Sequence, residues 1–249
     1  MTADLFDRQA RRLARQRGLR LADPFLLQTA FDDLLDRLAG IDRPRRDILL
    51  VGALDPAWPV RLAAGGARVT VVEPAAGEDE DRIAYPRDRF DAVIACGTLD
   101  TVNDLPLALR RLAASLKPDA PMLGALIGGN SFPLLRRALL AADGTVIAPR
   151  AHPRIDASSL AGLLASAGLT MPVIDVERTT IRYASLDRLV ADLRAIGVPN
   201  LLTQRSRIGP GRAWQARLRA AFLRGADAGK AAETVETLHF IAWSPPGRD

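Results

Sequence analysis

Short apolar segments that alternate with helical stretches constrain the fold of this chain more than any other feature. Asp47–Val51, Arg68–Val72, residues 90–95 and Pro121–Ile127 each have the composition of a strand. Residues 105–116 have the apolar spacing of a helix and lie between the last two of them. Strands that alternate with helices in this way predict a mostly parallel, doubly wound α/β sheet.

The two ends of the chain add helices to this centre. Residues 5–39 have helical periodicity, with a break near Ala22-Asp23-Pro24. We therefore expect an N-terminal helical extension at 1–40 and one domain at 41–249, with a helical cap or insertion at 185–230. The predicted C-terminal elements are helices at 131–142, 158–167, 185–196 and 213–224, and strands at 173–176, 179–183 and 234–243.

Composition excludes several classes of protein. The chain has 249 residues, of which 48% are hydrophobic, and this suits one large α/β domain with an ample core. It contains no run of about eighteen apolar residues, so no membrane span is expected. The first residues do not resemble a signal peptide, which makes the cytoplasm the expected location. One cysteine and two histidines argue against a disulfide and against a metal site.

The charge balance is basic, with 34 Lys and Arg against 29 Asp and Glu. Only 5% of residues are aromatic, so stacking platforms are scarce and a nucleic-acid partner is not expected. Five arginines stand close together in the first predicted helix, and a solvated face is the ordinary explanation for such a run. The alternative is an arm that docks an acidic protein partner. These arginines are Arg8, Arg11, Arg12, Arg15 and Arg17.

Several short motifs narrow the family. They are Phe90-Asp91, Val102-Asn103-Asp104-Leu105-Pro106 and Leu116-Lys117-Pro118-Asp119, with Phe6-Asp7-Arg8, Gly128-Gly129, Ile181-Arg182-Tyr183-Ala184-Ser185-Leu186 and Ala242-Trp243-Ser244-Pro245. Together they resemble class I S-adenosylmethionine-dependent methyltransferases of the type 11 group. Within that group they are similar to the bacterial relatives of the mitochondrial complex I assembly-factor methyltransferase-like proteins. The resemblance implies a Rossmann-like seven-stranded sheet and bound S-adenosylmethionine. It also implies, from the arginine hydroxylase of that family, a respiratory-complex subunit as a partner.

The residues expected to hold the cofactor are only partly suited to it. Glu73 ends the second strand, where the family places the acid that binds the ribose hydroxyls, although a strand-end glutamate is also common by chance. The glycine-rich loop after the first strand retains only Gly52. Pro56 and Pro59 remove backbone donors from this loop. Trp58 is bulky, so either the cofactor lies farther out or Trp58 fills its pocket.

The segment between the second and third apolar runs is too short for the usual helix and strand. Residues 74–89 number sixteen, whereas a helical crossover alone takes a dozen or more. We therefore expect one edge strand to be reduced or missing. Asp79 falls where the family's adenine-binding acid would be, or else belongs to a solvated acidic loop at 78–81. Cys96 and Gly97 follow the third strand and would lie beside the cofactor.

Four polar residues are candidates for the reaction itself. Asp100 and Tyr183 are weak candidates for a general base, and Asn103 and Asn130 are expected to contact the substrate. Because the cofactor loop is degenerate, the chain is predicted to be a methyltransferase-like protein that acts without catalysis, as a binding or assembly factor. The alternative is an active S-adenosylmethionine-dependent methyltransferase, or an arginine hydroxylase that acts on a respiratory-complex subunit.

Overall fold

The four predicted strands lie side by side, and two further strands complete one mixed sheet of six. The computed structural model describes residues 4–21, 23–145, 148–207 and 210–247. The order is β2-β1-β3-β4-β6-β5, parallel from β2 to β4, with β6 antiparallel to both of its neighbours. The strands are β1 Asp47–Val51, β2 Arg68–Val72, β3 Ala92–Cys96, β4 Pro121–Ile127, β5 Thr170–Tyr183 and β6 Ala231–Trp243.

Helices cover both faces of the sheet, because successive side chains of its buried central strands point to opposite sides. In β1, Ile48 and Leu50 join the core under α2, α3, α5, α7 and α8, whereas Leu49 and Val51 join the core under α4 and α6. The helices are α1 Arg8–Leu21, α2 Phe25–Ala39, α3 Ala57–Ala63, α4 Leu105–Ser115, α5 Pro133–Asp143, α6 Ala157–Ser166, α7 Leu186–Ala195 and α8 Arg212–Phe222. The predicted α/β, doubly wound fold class is confirmed.

The prediction of a missing edge strand is also confirmed. Residues 74–89 contain a short 3₁₀ turn at Pro74–Ala76, and no strand forms between β2 and β3. This leaves β2 at the edge of the sheet, paired only with β1. The sheet therefore ends one strand earlier than the resemblance implies, on the side that carries Glu73.

Two details of the strand prediction were wrong. The segments 173–176 and 179–183 form one strand, β5, which pairs with β6 continuously from Val173 to Tyr183. The polar pair Glu177-Arg178 between them interrupts the apolar pattern because β5 is an exposed edge strand, and an edge strand tolerates polar side chains. The third strand begins at Ala92, and Phe90 makes only an isolated bridge to Leu116.

The two N-terminal helices have different positions. Pro24 precedes α2, which explains the predicted break, and α2 packs against β3 and β4. Helix α1 lies against the 3₁₀ turn that follows β2 and against α7. This places α1 over the carboxyl ends of the parallel strands, where open α/β sheets bind ligands. Among the described residues, no helix has the length and apolarity needed to cross a membrane.

Candidate cofactor site

The candidate site lies where β1, β2 and β3 end beside one another. Val51 is in register with Val72 on one side and with Ala95 on the other, so the residues that follow these strands converge. Gly52 has a φ of +86°, and a Cβ there would collide with the Cys96 carbonyl oxygen and with Thr98. Gly52 is thus required for the close approach of β1 and β3, whatever else the loop does.

Glu73 is the acidic group of this site and is almost fully buried, with 8% of its surface exposed. Its carboxylate accepts hydrogen bonds from the backbone amides of Ala53, at 2.8 Å, and Ala75, at 3.1 Å. Arg15 donates from Nε at 2.7 Å and from Nη2 at 2.6 Å. Burial alone would raise the pKa of Glu73, but the charge and hydrogen bonds of Arg15, with the two amides, lower it below the ordinary value of 4.5. Glu73 is therefore a carboxylate that four donors already satisfy.

Arg15 reaches this carboxylate from α1, and each of its three guanidinium nitrogens donates a hydrogen bond. Only 1% of the residue is exposed, and its third nitrogen, Nη1, donates to the Gly97 carbonyl at 2.9 Å. The Nη2 atom also lies 3.4 Å from where a Cβ on Gly52 would be. One guanidinium group thus bonds two of the five residues that the sequence assigns to the cofactor, Glu73 and Gly97, and lies beside a third, Gly52.

One turn earlier on α1, Arg11 makes a second buried pair. It donates to both carboxylate oxygens of Glu80 at 2.8 Å, and to Asp79 at 3.2 Å. It also donates to the Thr98 carbonyl at 2.9 Å and to the Thr101 hydroxyl at 3.0 Å. Arg11 is 1% exposed and Glu80 is completely buried. Such a pair is stable only because nearly every donor and acceptor has a partner.

Arg8 extends the same face of α1 by a third pair. Its Nη1 and Nη2 atoms donate to the two oxygens of Asp81, each at 2.7 Å. The spacing of Arg8, Arg11 and Arg15 by three and four residues places them along one side of the helix. We call these three arginines, with Glu73, Glu80 and Asp81, the arginine clamp.

The arginine clamp corrects two expectations from the sequence. The basic face of the first helix is not wholly solvated, because Arg11 and Arg15 are buried inside the chain's own fold. The acidic run at 78–81 is not a solvated loop, because Glu80 and Asp81 are buried against α1. One signal in the sequence could have revealed these pairs. Three arginines lie on one face of the first helix, and an acidic run of matching charge lies in a segment that is too short for a helix and a strand.

Trp58 is buried, but it does not fill the site. Its ring stacks on Phe31 of α2, with 4.3 Å between ring centroids, and its Nε1 donates to Gln28 at 3.1 Å. It belongs to the core between α2, α3 and the sheet. The prediction that Trp58 occupies the pocket was therefore wrong, and the side chains beside Gly52 are those of Thr98 and Arg15.

The remaining predicted cofactor residues have different surroundings. Cys96 ends β3 in the core, where burial raises the pKa of its thiol to about 12. Such a thiol is a poor nucleophile. Asp79 lies at the rim of the arginine clamp, within 3.1 Å of Arg8 and 3.2 Å of Arg11. Gly97 lies against Leu27 of α2, where no side chain would fit.

The two candidates for a general base lie on different elements. Asp100 is buried in the 3₁₀ turn after β3, and its Oδ1 has no hydrogen-bond partner among the described residues. Burial raises the pKa of Asp100, against the opposing charges of Arg154 and Arg11. Tyr183 ends β5 inside the core, and burial raises the pKa of its hydroxyl. The nearby Asp192 carboxyl raises the pKa of the Tyr183 hydroxyl further, so neither Asp100 nor Tyr183 is primed to accept a proton by a partner that lowers its pKa below the ordinary value.

The two candidate substrate residues both make contacts within the chain. Asn103 accepts from the Phe6 amide at 2.7 Å and donates to the Phe6 carbonyl at 3.0 Å, which ties the start of the chain to the turn after β3. Asn130 donates its side-chain amide to the carboxylate of Glu236 at 3.1 Å. Their role toward a substrate stays a prediction. Within the described residues, no group of three or more His, Cys, Asp or Glu side chains is arranged to hold a metal ion.

Comparison with known proteins agrees with the fold. The model of the methyltransferase domain family matches residues 8–172. The mitochondrial arginine-hydroxylase NDUFAF5 of Danio rerio is 29% identical over 180 residues, which cover 67% of this chain and 53% of that protein. The malonyl-acyl-carrier-protein O-methyltransferase of Laribacter hongkongensis is 30% identical over 171 residues, which cover 68% of this chain and 56% of that protein. The chain thus spans about half the length of the curated relatives it matches.

Solved structures share the architecture at low sequence identity. The YcgJ protein of Bacillus subtilis superposes with a TM-score of 0.55 at 14% identity, covering 88% of this chain and 100% of that one. A candidate methyltransferase of Bacillus halodurans gives a TM-score of 0.54 at 11% identity, covering 86% of this chain and 98% of that one. These likenesses show the fold.

Proposed function

Because this chain belongs to the family of class I methyltransferase domains, whose cofactor is S-adenosylmethionine, we propose that it is a non-catalytic member that works by binding a partner. The observation that carries the proposal is the Arg15 guanidinium on Glu73, in the place where the family binds its cofactor. In this view α1 stays packed over the ends of β1, β2 and β3 and does not leave to admit a cofactor.

The residues as placed do not fit S-adenosylmethionine. A ribose needs the Glu73 carboxylate as an acceptor, and both of its oxygens already accept from Arg15. The cofactor also carries a positive sulfonium, which a buried guanidinium would repel. The backbone positions at Gly52 and Gly97 that a ligand would approach are in contact with the same Arg15 side chain.

Moving Arg15 aside would cost a large part of the free energy that a ligand gains on binding. Removing one partner of a buried, hydrogen-bonded ion pair costs about 3–5 kcal/mol. A micromolar ligand gains about 8 kcal/mol on binding. An intrinsically micromolar affinity would thus become roughly millimolar or weaker. The pairs of Arg11 with Glu80 and of Arg8 with Asp81 hold the same helix and add to the cost.

The outward side of α1 supports a binding role. Arg12, Arg17 and Arg20 are exposed; Arg17 and Arg20 lie on the side of the helix that the arginine clamp does not use, and Arg12 lies at its edge beside Gly77. A basic helix face of this kind suits an acidic protein surface. We propose an acidic protein partner for this face, with a respiratory-complex subunit as the candidate that the family resemblance of the sequence implies.

A second candidate function is an enzyme in which α1 withdraws. It is favoured by the retention of Glu73. This carboxylate still accepts a hydrogen bond from the Ala53 amide, and such a bond would also hold an acid that binds a ligand. The relatives named as an arginine-hydroxylase and an O-methyltransferase define the two activities to consider. In this case the arginine clamp would be an off state rather than a loss of function.

Calorimetric titration of the folded chain with S-adenosylmethionine and S-adenosylhomocysteine separates these two functions. The non-catalytic proposal predicts no binding heat at millimolar ligand for the wild-type protein or for the exposed-site control Arg12→Ala. It also predicts that Arg15→Ala, alone or with Arg11→Ala, binds no more tightly than millimolar, because Pro56 and Pro59 still remove backbone donors from the loop after β1. Micromolar binding by the wild type would refute the proposal, and micromolar binding that appears only when Arg15 is removed would favour the enzyme in which α1 withdraws.

The partner is tested separately by salt. Capture of an acidic protein through α1 is expected to weaken as the ionic strength rises from about 0.1 M to about 1 M, because the Debye length falls from about 10 Å to about 3 Å. Replacing Arg12, Arg17 and Arg20 together with Gln is expected to abolish the capture. Capture that survives both changes would refute the role of this face.

A further inference from the structure

A second cleft, of about 280 Å³, lies between α5 and α7 beside the residues that follow β4. Its wall is apolar and includes Leu135 and Leu139 of α5 and Val190 and Leu193 of α7. A volume of this size suits a ligand at the small end of those that protein pockets hold.

Four of the six polar side chains at this cleft are arginines, and the other two, His152 and Asn200, are neutral. Arg136, Arg150, Arg154 and Arg194 line it, and no Asp or Glu is among its lining residues in the part of the chain that the structure describes. Arg150 is neutralised by Asp143, at 2.7 Å. None of the other three has a carboxylate within ion-pair distance among the described residues, and Arg136 donates only to the Gly129 carbonyl, at 2.9 Å.

Arg154 is the most unusual of these cations. Its Nε is buried and has no hydrogen-bond partner among the described residues. Its guanidinium carbon lies 5.2 Å from the centroid of the Phe132 ring. Burial lowers the pKa of Arg154, and the buried carboxyl of Asp100 opposes this shift. A buried donor without a partner costs about 1–3 kcal/mol, so its presence calls for an explanation.

The backbone under Arg154 is also unusual. Phe132 has a φ of 57°, in the left-handed region, which costs a bulky residue about 1–2 kcal/mol. The strain is held by the Phe132 amide, which donates to the Thr234 carbonyl at 2.8 Å. This conformation sets the Phe132 ring beneath the Arg154 guanidinium at the cleft. Strained residues that are held in this way are concentrated at ligand-binding positions.

We propose that this cleft binds a small amphipathic anion, with a carboxylate or phosphate head on Arg154, Arg194 and Arg136 and a short apolar chain against Leu135 and Leu193. A guanidinium group pairs readily with either head, because its planar donors match two anionic oxygens. The proposal does not depend on whether α1 ever leaves the cofactor site, since none of the arginines of the clamp lines this cleft.

Titration calorimetry with octanoate, octyl phosphate and octanol tests the proposal on the full chain. Octanoate or octyl phosphate is expected to bind at least ten times more tightly than octanol, and the tighter of the two anions identifies the head group. Arg154→Gln and Arg194→Gln are each expected to weaken binding of that anion at least tenfold. Arg188→Gln, an exposed arginine of α7 outside the cleft, is the matched control and is expected to change nothing.

A gain of affinity is expected from Asp100→Asn, because it removes the negative charge that partly balances Arg154. Arg194 is exposed at the rim, so Arg194→Gln reports on binding even if Arg154→Gln fails to fold. Octanol that binds as tightly as both anions would overturn the proposal. So would unchanged anion affinity in folded Arg194→Gln, or failure of both anions to bind at millimolar concentration.

Discussion

Replacing Arg15 with Met tests how much the arginine clamp contributes to the free energy of unfolding. Methionine preserves most of the apolar volume of the arginine side chain but removes all three donors. Glu73 would then remain buried with only the Ala53 and Ala75 amides as partners. Loss of one partner from a buried pair of this kind destabilises a protein by about 3–5 kcal/mol. In a chain of this size, that corresponds to a fall in Tm of about 6–20 °C.

The pH dependence of the loss gives a second signature. In the wild type the pKa of Glu73 lies below its ordinary value of 4.5, so the stability from its charge is present above that value and is lost as the pH falls through the lowered pKa. Without Arg15, the burial of Glu73 raises its pKa instead. The variant can then relieve the buried charge by taking up a proton. The difference in unfolding free energy between wild type and variant is therefore expected to be largest at neutral pH and to shrink towards pH 4.5.

Urea unfolding followed by circular dichroism at neutral and acidic pH measures both effects. Arg17→Met, on the exposed side of the same helix, is expected to change stability by no more than about 0.5 kcal/mol. The double variant Arg15→Met with Glu73→Gln is expected to recover about 0.5–3 kcal/mol, because the two residues are in direct contact. A loss below about 1 kcal/mol in Arg15→Met, the value of an exposed ion pair, would refute the reasoning.

Three further predictions concern the surroundings of the site. Gly52→Ala is expected to cost about 3 kcal/mol or more, whereas Gly66→Ala, with a similar φ of +84° but open space around it, is expected to cost about 1 kcal/mol; equal losses in urea unfolding would contradict this. The thiol of Cys96, with a pKa of about 12, is expected to resist a thiol reagent in the folded chain and to react only after denaturation; rapid labelling of the native protein at pH 8 would show otherwise. Burial lowers the pKa of His152 to about 3, so its imidazole NMR signals are expected to stay fixed between about pH 5 and about pH 8. The stability that the neutral ring contributes is lost as the pH falls below 6.5, the ordinary pKa of histidine. Imidazole signals that titrate near pH 6.5 would contradict this.

The sheet could be predicted from the sequence because each of its central strands is locally marked. Asp47–Val51 and Pro121–Ile127 are buried along their whole length, so they appear as continuous apolar runs. The missing edge strand was predictable from length alone, since residues 74–89 cannot hold a helix and a strand. Glu73 at the end of β2 was predictable in position, but its partner was not.

The arginine clamp could not be predicted because α1 is oriented against its hydrophobic pattern. Leu13 is 41% exposed, whereas Arg15, two residues later, is 1% exposed. A reading of the helix by apolar periodicity turns Leu13 inward and Arg15 into solvent. The opposite orientation is favoured by carboxylates 58–73 residues away in sequence, Glu73 and Asp81 among them. Such long-range charge pairing leaves no periodic signal in the helix itself.

A crystal structure of the full chain grown with millimolar S-adenosylhomocysteine tests the central claim most directly. The account predicts that Arg15 still donates to both carboxylate oxygens of Glu73 and to the Gly97 carbonyl, with no ligand at the ends of β1 and β2. A ligand whose ribose hydroxyls are bound by Glu73, with Arg15 displaced from the site, would contradict it.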